Sequence, residues 1–395
     1  MKACGIVAEY NPFHNGHAYQ VEQVRKEVGA DVVIAVMSGN FLQRGEPAIV
    51  DKWTRTKMAL GGGVDLIVEL PVVFSTQPAD FFAKGAIQIL SALQIDTLSF
   101  GVESGSASDF FNSAQWLFEN EERIAEEIKK GERSKEPYAK QMELIIESLA
   151  PDFPLHLQSP NNQLGFAYAK EIIRLGLRDE IELFPLERAE AGYADTELTV
   201  DSPIASATAI RQAVLNGKEV STYIPKQSYS YFKEAAPQMV HWENYFSLLK
   251  YQLTVQSKDS LREIYQMTEG LENRLKDFIR EAESFEGFMR KIKTKRYTQT
   301  RLQRLLTYTL LQWEKNEIIG QLEEEPAIRV LGFNQTGQEY LGHVKHLIGR
   351  RLVSNVGQKQ SKKLRLDIQA GAIYQLGARP SILEQDFKRK PIKFD

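Results

Sequence analysis

Gly5-Ile6-Val7-Ala8-Glu9-Tyr10-Asn11-Pro12-Phe13-His14-Asn15-Gly16-His17-Ala18-Tyr19-Gln20 carries the chain from a short apolar run through a polar turn into a helical pattern. The apolar run belongs to a strand expected over Ala3–Ala8 and is nearly continuous, as a strand covered on both faces should be. Runs of the same kind recur at Val32–Met37, Asp65–Leu70, Thr97–Val102 and Ile181–Leu186. Between them lie amphipathic stretches such as Ala18–Val28, with Val21, Val24 and Val28 at helical spacing, and Pro78–Leu93, with Phe82, Ile89 and Leu93 as core positions. This alternation predicts an α/β architecture with a doubly wound parallel sheet. Ligands of such sheets sit outside the carboxyl ends of the strands, which directs attention to the residues after Ala8, Met37, Val102 and Leu186.

Beyond about residue 220 the alternation stops. Tyr245–Val255, Ser260–Glu281 and Arg301–Lys315 read as long helical segments, and only Ile328–Phe333 reads as a strand. The change in composition around Asn216–Pro225 divides the chain into an α/β domain, residues 1–220, and a mainly helical domain, residues 221–395. At 395 residues and 43% apolar content the chain has ample material for two or three cores. Its 49 Lys and Arg against 52 Asp and Glu leave a net charge of −3, so any polyanion site must be local. A single cysteine, Cys4, excludes an internal disulfide and a thiolate zinc site, which fits a reducing cytoplasm. The N-terminal apolar run meets Glu9 too early for a signal sequence, and no stretch approaches the ~18 apolar residues of a membrane span.

His14 and His17 lie three apart at the opening of a helix, with Gly16 between them. Both can face one volume in front of exposed backbone N–H groups, which is where an anion such as phosphate binds. Gly16 lets a planar ring or ribose approach the backbone, and Pro12 stiffens the entry to the turn. Taken alone, the pair also reads as a cap and a surface residue; its place directly after the first strand favours the ligand reading. A shared metal would need a third ligand, and neither a carboxylate pair nor a second cysteine stands at suitable spacing, so no protein-held metal is expected. Ser206-Ala207-Thr208-Ala209-Ile210-Arg211 offers hydroxyls at a helix start with an arginine one turn later, either an ordinary cap or a second phosphate cradle.

His-Asn-Gly-His after the first strand, with Ser-Ala-Thr-Ala-Ile-Arg closing the same domain, resembles the nucleotidyltransferase superfamily, whose members hold ATP between an H-x-G-H turn and an (I/S)-S-x-T-x-I-R-like turn. The opening through His17, together with Met37-Ser38-Gly39-Asn40-Phe41-Leu42-Gln43-Arg44-Gly45-Glu46-Pro47-Ala48, is similar to the bacterial tRNA(Met) cytidine acetate ligase family, along the whole chain. The resemblance implies a Rossmann-like fold of nucleotidyltransferase type and a two-step reaction. ATP and acetate give acetyl-adenylate and pyrophosphate; the wobble cytidine of elongator tRNA(Met) then takes the acetyl group on its exocyclic amine, as N(4)-acetylcytidine. It further implies an ATP site on Val7–Gln20, Gly101, Asn162, Glu187 and Arg188, with Ser206 and Thr208 in the second turn. His14, His17 and Arg211 are the expected catalytic donors, and Mg2+ is expected to be bound through the ATP phosphates. Ala207, where serine is common, removes one hydroxyl from the second turn.

The near-neutral total hides two windows free of acids. Residues 287–313 carry Arg290, Lys291, Lys293, Lys295, Arg296, Arg301 and Arg304; residues 340–366 carry Lys345, Arg350, Arg351, Lys359, Lys362, Lys363 and Arg365. Such segregation suits an RNA-binding face on a neutral protein, although a single cationic helix face is also an ordinary solvated surface. Leu302, Leu305, Leu306 and Leu310 repeat at helical spacing and should point inward, with Arg301 and Arg304 outward; Tyr297 and Tyr308 read as core or rim. The loop Ser38–Asp51, with Arg44, Glu46 and downstream Lys52 and Arg55, is long for a connection in an α/β unit and reads as a lid, a substrate clamp or a solvated loop. Two other functions fit the sequence: a nucleotidyltransferase adenylating a phosphorylated small molecule, and a non-catalytic RNA-binding factor that keeps an ATP pocket.

Overall fold

The computed structural model describes residues 1–130, 138–157, 159–187, 198, 202–268 and 270–395. Five strands form where the apolar runs predict them: β1 (Ala3–Ala8), β2 (Val32–Ser38), β3 (Leu66–Leu70), β4 (Thr97–Val102) and β5 (Glu182–Glu187). All pair in parallel, in the order β5-β4-β1-β2-β3, so the chain winds outward from β1 on one side and then returns to its other side. The reversal falls between β1 and β4. That is the crevice in which a doubly wound sheet takes its ligand. β2 and β3 are buried along their whole length, as strands covered by helices on both faces must be.

The C-terminal half does more than pack beside this sheet. β6 (Ile328–Phe333) inserts antiparallel against β3, and the two-residue strands β7 (Leu352–Val353) and β8 (Ile392–Lys393) both pair with β6. The sheet is therefore mixed, with eight strands among the described residues. A buried ionic cluster fastens the join. Lys52 Nζ donates to both Glu69 carboxylate oxygens, at 2.8 and 3.0 Å, and to Asp386 at 2.8 Å, while the Arg329 guanidinium pairs with Glu69 at 3.2 Å and also with Asp386. These charges come from the second strand-to-helix connection, β3, β6 and the C-terminal segment. Each finds an opposite partner, the condition under which burial of ions is tolerated.

Two long helical segments expected in the C-terminal half are broken. Ser260–Glu281 divides into Lys258–Arg262 and Leu271–Ile279, because Ile264 forms a bridge with Glu314 and the Tyr265 N–H donates to the Trp313 carbonyl at 2.8 Å. Backbone groups committed to that bridge cannot continue a helix. Arg301–Lys315 ends at Leu311, where Gln312 adopts φ +53° and turns the chain into the next helix, Lys315–Glu323.

Candidate active site

After Ala8 the chain leaves the sheet through a tight turn in which Tyr10 has φ +49° and the Asn11–Pro12 peptide is cis. Phe13 is fully buried and packs into the core beneath the turn. The helix Asn15–Gln23 then starts with a reciprocal cap made by two imidazoles. His14 Nδ1 accepts from the Gly16 N–H at 3.1 Å, and His17 Nδ1 accepts from the His14 N–H at 3.2 Å. Because both Nδ1 atoms accept, each neutral ring carries its proton on Nε2. The rings stack with centroids 3.7 Å apart and an interplanar angle of 29°, and Tyr10 meets the His17 ring edge-on at 4.8 Å. The pair therefore converges. A Cβ on Gly16 would come within 3.0 Å of the His14 ring, so the glycine makes room for the stack itself.

The second turn faces the first. Ser206 caps the helix Ala207–Leu215, its Oγ accepting from the Ala209 N–H at 3.0 Å. Arg211 reaches across: Nη1 donates to the Asn11 carbonyl at 2.8 Å, and Nη2 lies 3.3 Å from Glu46 Oε1 and 3.4 Å from Thr208 Oγ1. Asn15 ties the two turns together by donating to the Pro203 and Thr222 carbonyls. Gln20 donates to Ser99 Oγ of β4 at 3.1 Å and so bridges the strand reversal.

Between the turns lies a cleft of about 280 Å³, walled by β1 (Val7, Ala8), the histidine turn (Glu9, Tyr10, Asn11, His14, Gly16, His17), Tyr19, Gln20, Gly101, Glu187, Ser206, Thr208 and Arg211. Pro12, Phe13, Asn15 and Ala18 of the expected site support the turn without lining the cleft. Asn162 is fully buried; its Oδ1 accepts from the Glu103 N–H and its Nδ2 donates toward Ser104 and His156. Its neighbour Asn161 lines the cleft instead, along with Leu164 and Tyr168 from the same helix. Arg188 lies outside the described residues.

The loop after β2 is a folded wall. Phe41 and Leu42 are buried, Phe41 bridges Pro47, and the Leu42 N–H donates to the Glu46 carbonyl, which leaves Gln43, Arg44 and Glu46 on the cleft. Gly45 has φ +73° and lies so close to the Arg304 backbone that a Cβ there would overlap it. Glu9, which accepts from the Gln43 N–H at 2.8 Å, is pushed above the ordinary carboxylate range by burial first and by nearby Glu46 second. Arg55, read from sequence only as a cation downstream of this loop, is a positioning residue. Fully buried, it donates to the carbonyls of Glu9, Ser38, Gly39 and Val50, tying the ends of β1 and β2 together. Among the described residues no cluster of three His, Cys, Asp or Glu side chains could hold a metal.

The cations separate into two groups. Arg290, Lys291, Lys293, Lys295 and Arg296 are exposed on or just after the helix Phe285–Ile292, and Lys362, Lys363 and Arg365 are exposed around 362–365. Lys291 lies 3.5 Å from Glu281, and Arg365 pairs with Glu317. Arg301 is half-buried, over the Tyr297 ring and 3.2 Å from Thr268 Oγ1. Arg304, expected to project outward, is instead packed under the Gln43–Gly45 loop, and burial lowers its guanidinium below the usual arginine range. Its helix, Gln299–Leu311, is covered on more than one face: Leu302, Leu305, Leu306 and Leu310 are buried as expected, and so are Thr307, Tyr308 and Thr309. Tyr297 and Tyr308 are core residues.

The model of the family described as HIGH Nucleotidyl Transferase matches residues 1–390. A tRNA(Met) cytidine acetate ligase of Leuconostoc mesenteroides is 41% identical over the full length of both chains. The chain belongs to this ligase family of HIGH nucleotidyltransferases. A relative of the same name from Bacillus subtilis is 38% identical, covering 100% of this chain and 98% of its own. The crystal structure of Thermotoga maritima TmcAL bound with alpha-thio ATP superposes with a TM-score of 0.90 at 29% identity, covering both chains completely. The family resemblance read from the histidine turn and the loop after β2 is thus borne out along the chain, and the fold agrees with that of a solved family member. No helix among the described residues is long and apolar enough to cross a membrane.

Proposed function

We propose that this protein is an ATP-dependent ligase that activates acetate as acetyl-adenylate and transfers the acetyl group to the wobble cytidine of elongator tRNA(Met). The observation that carries the reading is the stacked His14–His17 pair facing Arg211 across a cleft at the strand reversal, in a chain alike from end to end to tRNA(Met) cytidine acetate ligases. ATP occupies this cleft, its phosphates between the two turns, with Mg2+ entering as part of the nucleotide and held by phosphate and water. Attack by acetate on the α-phosphate builds negative charge on its oxygens and on departing pyrophosphate. The Nε2–H groups of His14 and His17 and the Arg211 guanidinium are donors already fixed in place, so little reorganisation accompanies that charge. Acetate is ionised at neutral pH, and this step needs no general base.

In this reading residues 1–220 carry the adenylation chemistry, and the cations of residues 221–395 hold tRNA in the cytoplasm where it is made. Asn162 acts by bracing the Glu103–Ser104 loop behind the cleft. A competing role in adenylating a phosphorylated small molecule is not favoured by the full-length relatives. Incubation of the protein with ATP, labelled acetate and total bacterial tRNA should yield acetylated cytidine, and omission of ATP should abolish it. Pyrophosphate exchange driven by a phosphorylated metabolite instead of acetate would overturn the proposal.

A further inference from the structure

A second cleft, of about 460 Å³, adjoins the first. The two share one wall: Arg44, Glu46, Thr208 and Arg211 line both, and the Arg211–Glu46 ion pair stands in the partition. The rest of the cleft is built from three helices. Thr208 and Gln212 come from Ala207–Leu215; His241 and Trp242 open Trp242–Val255; Gln299, Thr300 and Gln303 come from Gln299–Leu311. Two helix starts, at Trp242 and Gln299, border this volume and favour a ligand carrying phosphate. Side-chain chemistry narrows the choice further. The amides of Gln212, Gln299 and Gln303 and the Thr300 hydroxyl offer both donors and acceptors, the complement of a nucleobase edge. Trp242 is locked in place, stacked on Phe285 at 4.4 Å with its indole N–H donating to the Gly45 carbonyl at 2.9 Å, so this wall is rigid. The exposed cations Arg290, Lys291, Lys293, Lys295 and Arg296 lie on the stretch of chain just before Gln299, and exposed cations of this kind suit RNA phosphates.

We propose that this second cleft receives the acceptor nucleotide, a single-stranded cytidine turned out of its RNA loop, and presents the cytidine amine through the shared wall to the nucleotide cleft. The inference rests on the function proposed above. RNA readers commonly splay an unpaired base into a pocket of this kind, and a volume of this size lies within the ~300–1,000 Å³ of small-ligand sites.

The test uses the full-length protein and an anticodon stem-loop RNA carrying photoreactive 5-iodocytidine at the wobble position. Cross-linking should map to His241 or Trp242, at the aromatic wall; a cross-link elsewhere overturns the proposal. Thr300→Trp, which fills the cleft, should lower acetyl transfer by about 100-fold while acetate-dependent pyrophosphate exchange persists in the same preparation. Unchanged acetylation by Thr300→Trp overturns the assignment of the cleft alone. If Thr300→Trp loses exchange as well, the cross-link on the unaltered protein decides. An unaltered protein that acetylates no cytidine overturns the underlying function together with it.

Discussion

The histidine turn and the cationic helical face handle charge in opposite ways. In the turn, the groups that face the cleft are fixed by specific partners: the imidazoles cap their own helix, Arg211 holds the Asn11 carbonyl, and Arg55 ties four carbonyls beneath. On the helical face, Arg290, Lys291, Lys293 and Lys295 are exposed and owe their effect to number. On the function proposed above, the difference teaches how one site would serve a transition state and the other a polymer. Few fixed donors lower a barrier, whereas many hydrated cations raise affinity through counterion release.

The largest effect is expected where the C-terminal half is clasped to the sheet. Lys52→Met leaves Glu69 and Asp386 short of a cation in the interior and should lower stability by about 3–5 kcal/mol, read from denaturant unfolding. Within the turn, His14→Asn keeps a capping side chain and removes the ring. Acetate-dependent pyrophosphate exchange should then fall about 10²–10³-fold, with tRNA affinity unchanged in filter binding. Retention of exchange would erase the distinction between the regions. On the helical face, Arg301→Glu or Lys363→Glu should weaken tRNA binding about tenfold and reduce the salt slope by about one counterion, leaving exchange intact.

A pH dependence of stability is also expected, at Asp367. This carboxyl, which accepts from the Val72 N–H, is raised to about 7 by burial first and by Glu69 second. A carboxyl raised on folding binds its proton more tightly in the native state than in the unfolded chain. Its contribution is therefore full below the ordinary aspartate range, ~3.9, and is lost as pH rises toward 7. Asp367→Asn should remove that slope, so the gap in thermal midpoint between variant and parent should move in favour of the variant across this window.

Strands β1 to β4 and β6 were legible because a covered strand leaves a nearly continuous apolar run, and the edge strand β5 because Leu183, Phe184 and Leu186 cluster at strand length. The histidine turn was legible by its position after β1. β7 and β8 were not, since two residues carry no period, and nothing local to Ile328–Phe333 announces that it pairs antiparallel with β3. Arg304 and Asn162 were misplaced for a related reason. A helix packed on several sides buries positions that a one-faced pattern assigns to solvent, and a buried amide is indistinguishable in sequence from one that lines a cleft. Arg55 was legible as a cation beside the loop after β2 but not as a brace, because its partners are carbonyls, which every residue possesses.

The pairing of β3 with β6 has a consequence for biosynthesis. Until Ile328–Phe333 leaves the ribosome, the nascent N-terminal half presents β3 as a bare, apolar edge, the kind of surface on which chains associate. Completion of translation is thus what seals the sheet, and a transcript truncated before that strand should yield aggregates in place of a working half-enzyme.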